Sequence, residues 1–170
     1  REGPCVVKPN FTNYGKGVTV FTSHPSQENF EKALDIAFRN SSEVLIEEYI
    51  PGDDYRFLVI GNVVQAVSKR IPAYVIGDGV RTIRDLVIEK SNDPRRGPEH
   101  KHPLSFIGMG AEEALHLETM GMSFMTVPQK GERVTLRQNS NVSTGGEAID
   151  CTDIVHPSYR EIALKAAKAV

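Results

Sequence analysis

The chain has no tryptophan, two cysteines, 7% aromatic residues and no long apolar run. Each shortage closes off a class of protein. Cys5 and Cys151 lie 146 positions apart with no C-x-x-C spacing, which excludes a disulfide framework and leads us to expect a reducing, cytoplasmic setting. In that setting the three N-x-S/T triplets at Asn10, Asn40 and Asn141 read as chance. Apolar runs such as Phe57 to Ile60 stop at four or five residues, where a membrane-spanning helix needs about 20. A surplus of positive charge is missing too. Twenty Lys and Arg against 22 Asp and Glu give a net charge of −2, which argues against non-specific binding to nucleic acid or to an anionic membrane.

What is present, 39% hydrophobic and 25% charged residues over 170 positions, suits one ordinary globular domain or two small lobes sharing a core. Residue 1 is Arg, and an apolar repeat at helical spacing (Tyr159, Ile162, Ala163, Ala166, Val170) runs to the end without a stop signal. The expectation is a piece of a longer protein.

Local patterns predict strands at Cys5–Val7 and Val18–Phe21 around a turn-rich segment, Pro9 to Gly17. A helix opening at Pro25-Ser26 follows, with an apolar stripe of Phe30, Ala33, Leu34, Ala37 and Phe38, and then a buried strand at Val44–Ile46. Tyr55–Ile60 and Val63–Arg70 flank Gly61-Asn62, the signature of a hairpin with a type II′ turn. In its ideal register Asp54 faces Lys69 and Asp53 faces Arg70; Asp54 and Arg70 then lie on opposite faces unless a bulge intervenes. Residues 77–128 read as a less regular insertion with helices at Ile83–Lys90 and Ala111–Thr119 around a polar segment, Ser91 to Pro103. A strand is expected at Glu132–Gln138, and Met120, Met122 and Met125 are expected as core filler.

Three stretches carry chemistry. Lys8 precedes a loop bearing Gly15 and Gly17, whose missing side chains let backbone N–H groups approach a polyphosphate; an ordinary hairpin loop fits that pattern as well. Glu47, Glu48, Tyr49 and Ile50 at a strand exit can present backbone groups and a carboxylate to a purine, with Asp54 placed for ribose hydroxyls, although a solvated acidic strand end reads the same way. Arg56 and Arg70 on an apolar hairpin require an anionic partner or exposure. The segment Arg137 to Gly146 is the most telling, because a guanidinium, amides, hydroxyls and two glycines within ten residues suit a carboxylate, phosphate or acyl-phosphate. His24, His100, His102, His116 and His156 lack ligand spacing, so no metal site is assigned.

Read in order, V-V-K-P (Val6 to Pro9), T-N-Y-G-K-G-V (Thr12 to Val18), I-E-E-Y-I-P-G-D-D-Y-R (Ile46 to Arg56), V-I-G-D-G-V-R-T-I-R-D-L-V (Val75 to Val87), N-D-P-R-R-G (Asn92 to Gly97) and L-R-Q-N-S-N-V-S-T-G-G (Leu136 to Gly146) resemble the ATP-grasp ligases. Among these the set is most similar to the glutathione synthetase module of bifunctional glutamate-cysteine ligase/glutathione synthetases, with the cyanophycin synthetases related. The resemblance implies an α+β, ATP-grasp fold in which two antiparallel-sheet lobes clamp ATP. The smaller lobe spans residues 1–50 and the larger, C-terminally truncated one spans 51–170. It further implies that Lys8, Gly15, Gly17 and Arg70 serve the ATP phosphates, Glu47 to Ile50 the adenine and Asp54 the ribose. Arg137 and Asn141 would lie at the transferring group, with Arg56, Asn139, Gly145 and Gly146 near the substrate. The implied reaction joins γ-glutamylcysteine to glycine through an acyl-phosphate, using ATP and Mg²⁺ whose ligands fall beyond residue 170, in a longer chain that could be dimeric. A cyanophycin synthetase-type ligase and a nucleotide-binding module without turnover are the alternatives.

Overall fold

The computed structural model describes residues 3–98 and 101–169; Arg1, His100 and Val170, named above, lie outside the described residues. Strands β1 (Cys5–Pro9), β2 (Thr19–Phe21) and β3 (Val44–Glu48) form an antiparallel sheet in the order β2-β1-β3. Alternation along β1 buries Cys5 and Val7 and leaves Val6 and Lys8 half-exposed, so one face of the sheet takes helix α1 (Gln27–Phe38) and the other stays open. The Ser26 hydroxyl caps α1 by accepting the Asn29 N–H at 3.2 Å. The buried stripe of α1 is Ala33, Ile36 and Ala37, and Phe38 is exposed, because the helix is rotated slightly from the expected face. β3 is an edge strand, so Leu45 and Ile46 are exposed where burial was expected.

The second sheet is built on the hairpin of β4 (Asp54–Ile60) and β5 (Val63–Ile71). Gly61 turns it at φ 61° while Asn62 keeps a negative φ, as a type II′ turn requires. Between Leu58 and Val59 the register slips by one residue, leaving Gln65 as the extra residue of a bulge. That slip corrects the ideal pairing. Asp54 lies directly opposite Arg70, and Arg56 opposite Ser68, so all four share one face.

Two short strands, β6 (Tyr74–Ile76) and, further on, β9 (Arg133–Thr135), pair antiparallel, the latter much shorter than the expected Glu132–Gln138. Between them lie α2 (Ile83–Ser91), the parallel pair β7 (Arg96–Gly97) and β8 (Leu104–Ser105), and α3 (Ala111–Thr119). Residues 77–128 supply Ile83, Leu86, Val87, Ile107 and Leu117 to the larger core cluster, where they meet Ala73, Val75, Val134 and Leu136. α3 joins two cores, since Leu115 enters the cluster beneath α1 while Leu117 enters the larger one. Met122 packs on that core, but Met120 and Met125 are exposed and do not fill it. Finally β10 (Glu147–Asp150) adds to the free edge of β5, and α4 (Pro157–Lys168), capped by the His156 side chain, lies against β4 and β5.

Candidate functional site

The turn-rich segment after β1 folds back onto the polar loop between β9 and β10. Tyr14, Gly15 and Gly17 all have positive φ (63°, 71° and 73°), a run that turns the backbone carbonyls toward that loop. The Gly15 carbonyl accepts hydrogen bonds from Arg137 at 3.2 Å and from Asn139 Nδ2 at 3.3 Å, and the Tyr14 carbonyl accepts one from the Ser143 hydroxyl at 3.3 Å. A side chain at residue 15 would crowd the polar loop: a Cβ there would sit 2.8 Å from Asn139 Nδ2 and 3.0 Å from Asn141 Oδ1, and one or both side chains would have to shift. Gly17 donates its N–H to Glu112 Oε1 at 3.0 Å.

Arg137 is nearly buried and stands between two carboxylates of α3. Its Nε donates to Glu113, and its terminal nitrogen lies 3.6 Å from Glu112 Oε2. Glu113 is 1% exposed and also accepts the Gly110 N–H at 2.7 Å, which fixes the Arg137 guanidinium to the helix start. The far end of the polar loop is held from behind. Arg96, 4% exposed, donates to the carbonyls of Ser105 and Gly145, both at 2.9 Å, and pairs with Glu147 at 2.8 Å. Lys90 also pairs with Glu147 at 2.8 Å, and its ammonium lies 3.4 Å from the centre of the Tyr74 ring. Burial pushes the Lys90 pKa below its ordinary value against the pull of Glu147. Burial would raise the Glu147 carboxyl, but Lys90 and Arg96 outweigh it and hold the group below the usual carboxylate range.

A second group sits on the open face of the hairpin. The Ser140 hydroxyl, itself buried, donates to Asp54, tying β4 to the polar loop. Opposite Asp54, Arg70 has its pKa lowered by burial and then by Arg56, with Asp54 opposing. Arg70 Nε and Asn139 Oδ1 are buried atoms without a hydrogen-bond partner. Gly146 closes this corner, where an added Cβ would approach the Ile71 carbonyl to 2.7 Å and the Asn141 carbonyl to 2.8 Å.

The third group is on the open face of the first sheet, where Lys8 pairs with Glu47 at 2.6 Å. Beyond it Tyr49 donates its N–H to the Pro4 carbonyl at 3.3 Å, Glu48 is exposed and Ile50 is 81% exposed. The sequence-predicted residues therefore assemble as Gly15, Gly17, Arg137, Asn139 and Asn141; as Asp54, Arg56, Arg70 and Gly146; and as Lys8 with Glu47 to Ile50. Gly145, at φ 92°, packs on Ile107 and gives its carbonyl to Arg96. Among the described residues no group of three or more His, Cys, Asp or Glu could hold a metal ion.

Sequence reasoning missed Glu112, Glu113, Ser140, Arg96, Lys90 and Glu147. Arg96 falls within the N-D-P-R-R-G motif, so a signal existed; Glu112 and Glu113 looked like ordinary acidic residues in a first helical turn. A hollow of about 650 Å³, lined by Tyr55, Phe57, Cys151 and Tyr159 among others, lies beneath α4 on the opposite face of the hairpin from Asp54 and Arg70.

No family model matches the chain. It is 52% identical over all 170 residues to the glutathione biosynthesis bifunctional protein GshAB of Clostridium perfringens, and 48% identical over 165 residues to the protein of that name in Enterococcus faecalis. The chain spans 22% of the length of these relatives. Among solved structures it is similar to a bifunctional glutathione synthetase from Pasteurella multocida, at 44% identity and TM-score 0.60, over 99% of this chain and 23% of that one.

Proposed function

We propose that this chain, homologous from end to end to one segment of those bifunctional proteins, is the nucleotide-gripping part of an ATP-dependent carboxylate–amine ligase with the ATP-grasp fold. The activity of the longer protein is that of a glutathione synthetase. The observation that carries the reading is the seating of the Tyr14 to Gly17 loop on Arg137, Asn139 and Ser143. A glycine-bearing backbone loop laid over side-chain donors is what closing on a polyphosphate demands.

In this reading the phosphates lie between Lys8, the glycine loop and Arg137, and Arg70 adds charge from the hairpin. The unpartnered Arg70 Nε and the uncovered face of the first sheet fit an anionic ligand. Glu47 to Ile50 receive the base and Asp54 the ribose. The γ-glutamylcysteine carboxylate attacks the γ-phosphorus, the bond to the β-phosphate oxygen breaks, and ADP leaves with that electron pair. The glycine amine then attacks the acyl carbon, inorganic phosphate departs, and the amine gives up a proton as the amide forms. Phosphoryl transfer asks the protein for position and charge neutralisation more than covalent help, and Arg137 and Asn141 supply these at the transferring group. Arg56, Asn139, Gly145 and Gly146 shape the substrate side. Magnesium would neutralise phosphate charge when bound; among the described residues no group of three or more His, Cys, Asp or Glu could hold it. The natural setting is the cytoplasm, within a longer bifunctional chain.

Calorimetric titration of a non-hydrolysable ATP analogue into the chain and its Lys8→Ala variant tests this. Loss of a charge-assisted phosphate contact should weaken binding by roughly 1.5 to 3 kcal/mol, about 10- to 150-fold. Binding that is absent, or equal in the two proteins, overturns the placement.

A further inference from the structure

Glu112 touches two groups that the nucleotide reading gives to phosphate. One carboxylate oxygen accepts the Gly17 N–H at 3.0 Å, and the other lies 3.6 Å from the Arg137 terminal nitrogen. Its neighbour Glu113 touches Arg137 as well, but the two carboxylates are not equivalent. Glu113 has a side chain 1% exposed and is held by a backbone N–H and the guanidinium, so moving it would strand a buried charge. Glu112 keeps 18% of its side chain exposed and lies at the margin of the loop contact, so it can swing into water. A side-chain carboxylate and a phosphate oxygen make the same demand on an N–H and a guanidinium.

We propose that Glu112 is a built-in competitor of the nucleotide phosphates, holding the Gly17 amide and the Arg137 guanidinium until phosphate displaces it. This rests on the nucleotide reading and deepens it by assigning a residue that sets affinity. The Glu112 charge lowers the affinity of the site for polyanions, and the carboxylate is returned to its donors when product phosphates leave. Burial pushes the Glu112 carboxyl up, but the backbone N–H groups of Gly17 and of Glu112 itself, with Arg137, bring it below its usual value, so the competitor is charged at neutral pH.

The competitor role predicts a gain, which damage to a structural contact does not give. Glu112→Gln keeps shape and an oxygen for the Gly17 N–H while removing the charge. Titrated with the non-hydrolysable ATP analogue and with inorganic tripolyphosphate, Glu112→Gln should bind both roughly tenfold tighter than the parent, and the gain should shrink as salt is raised. Adenosine, which carries no phosphate, should bind the two proteins equally. Tripolyphosphate and analogue affinities that are unchanged or weaker in Glu112→Gln, at an unchanged thermal midpoint, overturn the proposal. Should the midpoint fall, Glu112→Asp, which keeps the charge on a shorter arm, provides the check: the competitor role requires it to bind both probes more weakly than Glu112→Gln, and equal binding overturns it. If Lys8→Ala weakens analogue binding but Glu112→Gln does not tighten it, only this inference fails; if neither protein binds the analogue, both readings fail.

Discussion

The polar loop from Arg137 to Glu147 and the glycine loop that lies on it meet in one contact but are held by opposite means. The polar loop is fastened by buried ion pairs, Arg137 to Glu113 at one end and Arg96 to Glu147 at the other. The glycine loop is held through its backbone by lone hydrogen bonds of 3.0 to 3.3 Å, to the half-exposed Glu112, Asn139 and Ser143 and to the nearly buried Arg137. Breaking a buried pair strands a charge, whereas a lone hydrogen bond at the margin of the loop leaves its backbone partner free to turn to solvent. A fixed receiver faces a releasable cover, which is the arrangement a ligand needs if it is to enter from above and still meet preset donors.

The largest effect should come from the fixed side. Arg96→Ala removes the guanidinium that joins the Ser105 and Gly145 carbonyls to Glu147, leaving a cavity, the buried Gly145 carbonyl and the half-buried Ser105 carbonyl without this donor. The expected destabilisation is on the order of 3 to 5 kcal/mol, a fall in thermal midpoint of roughly 10 °C or more by calorimetry. A loss below about 1 kcal/mol would put the two loops on the same footing and break the comparison.

A smaller effect, on binding and not on folding, is expected at the cover. In Gly15→Ala the new methyl meets Asn139 and Asn141 and the backbone is strained at φ 71°, so the loop should lift. Nucleotide-analogue affinity should drop about tenfold, on the order of 1 to 2 kcal/mol, while the midpoint of chemical denaturation moves little. A large loss of global stability would show that the cover is part of the fold's cooperative unit.

Much of this was legible in the residues. The Ser26 cap of α1, the helical segments of α2 and α3, the Gly61 turn and the clustering of donors at 137–146 are local features, and each is present in the fold. What escaped was non-local. The Gln65 bulge, which brings Asp54 opposite Arg70, has no marker in a strand of ordinary residues, since bulges answer to the twist of the sheet. Arg96 sits in a polar segment that looks solvated, yet it is buried because α2, β8 and the 145–147 turn converge on it. β6 and β10 are too short to announce themselves by alternation, and pairing partners distant in the chain define them.

The smallest effect sharpens the comparison through pH. His116 lies on α3, three residues beyond Glu113 and four beyond Glu112, with its Nε2 3.1 Å from the Thr135 hydroxyl. Burial lowers its pKa, and the nearby Glu113 only partly opposes this. The unfolded chain therefore binds the proton more readily than the folded one. Stability is fully present above the ordinary histidine value of about 6.5 and is lost as pH falls through the lowered folded value. Denaturant melts between pH 7.5 and 5.5 should show a decline on the order of 1 kcal/mol or less, and His116→Gln should flatten it. Because His116 belongs to the fixed side, protonation should loosen the fold without first freeing the glycine loop. The protection factor of the Gly17 amide, with the intrinsic pH dependence of exchange divided out, should stay constant over the same range if the two regions are energetically separate, and should fall with the loss of stability if α3 couples them.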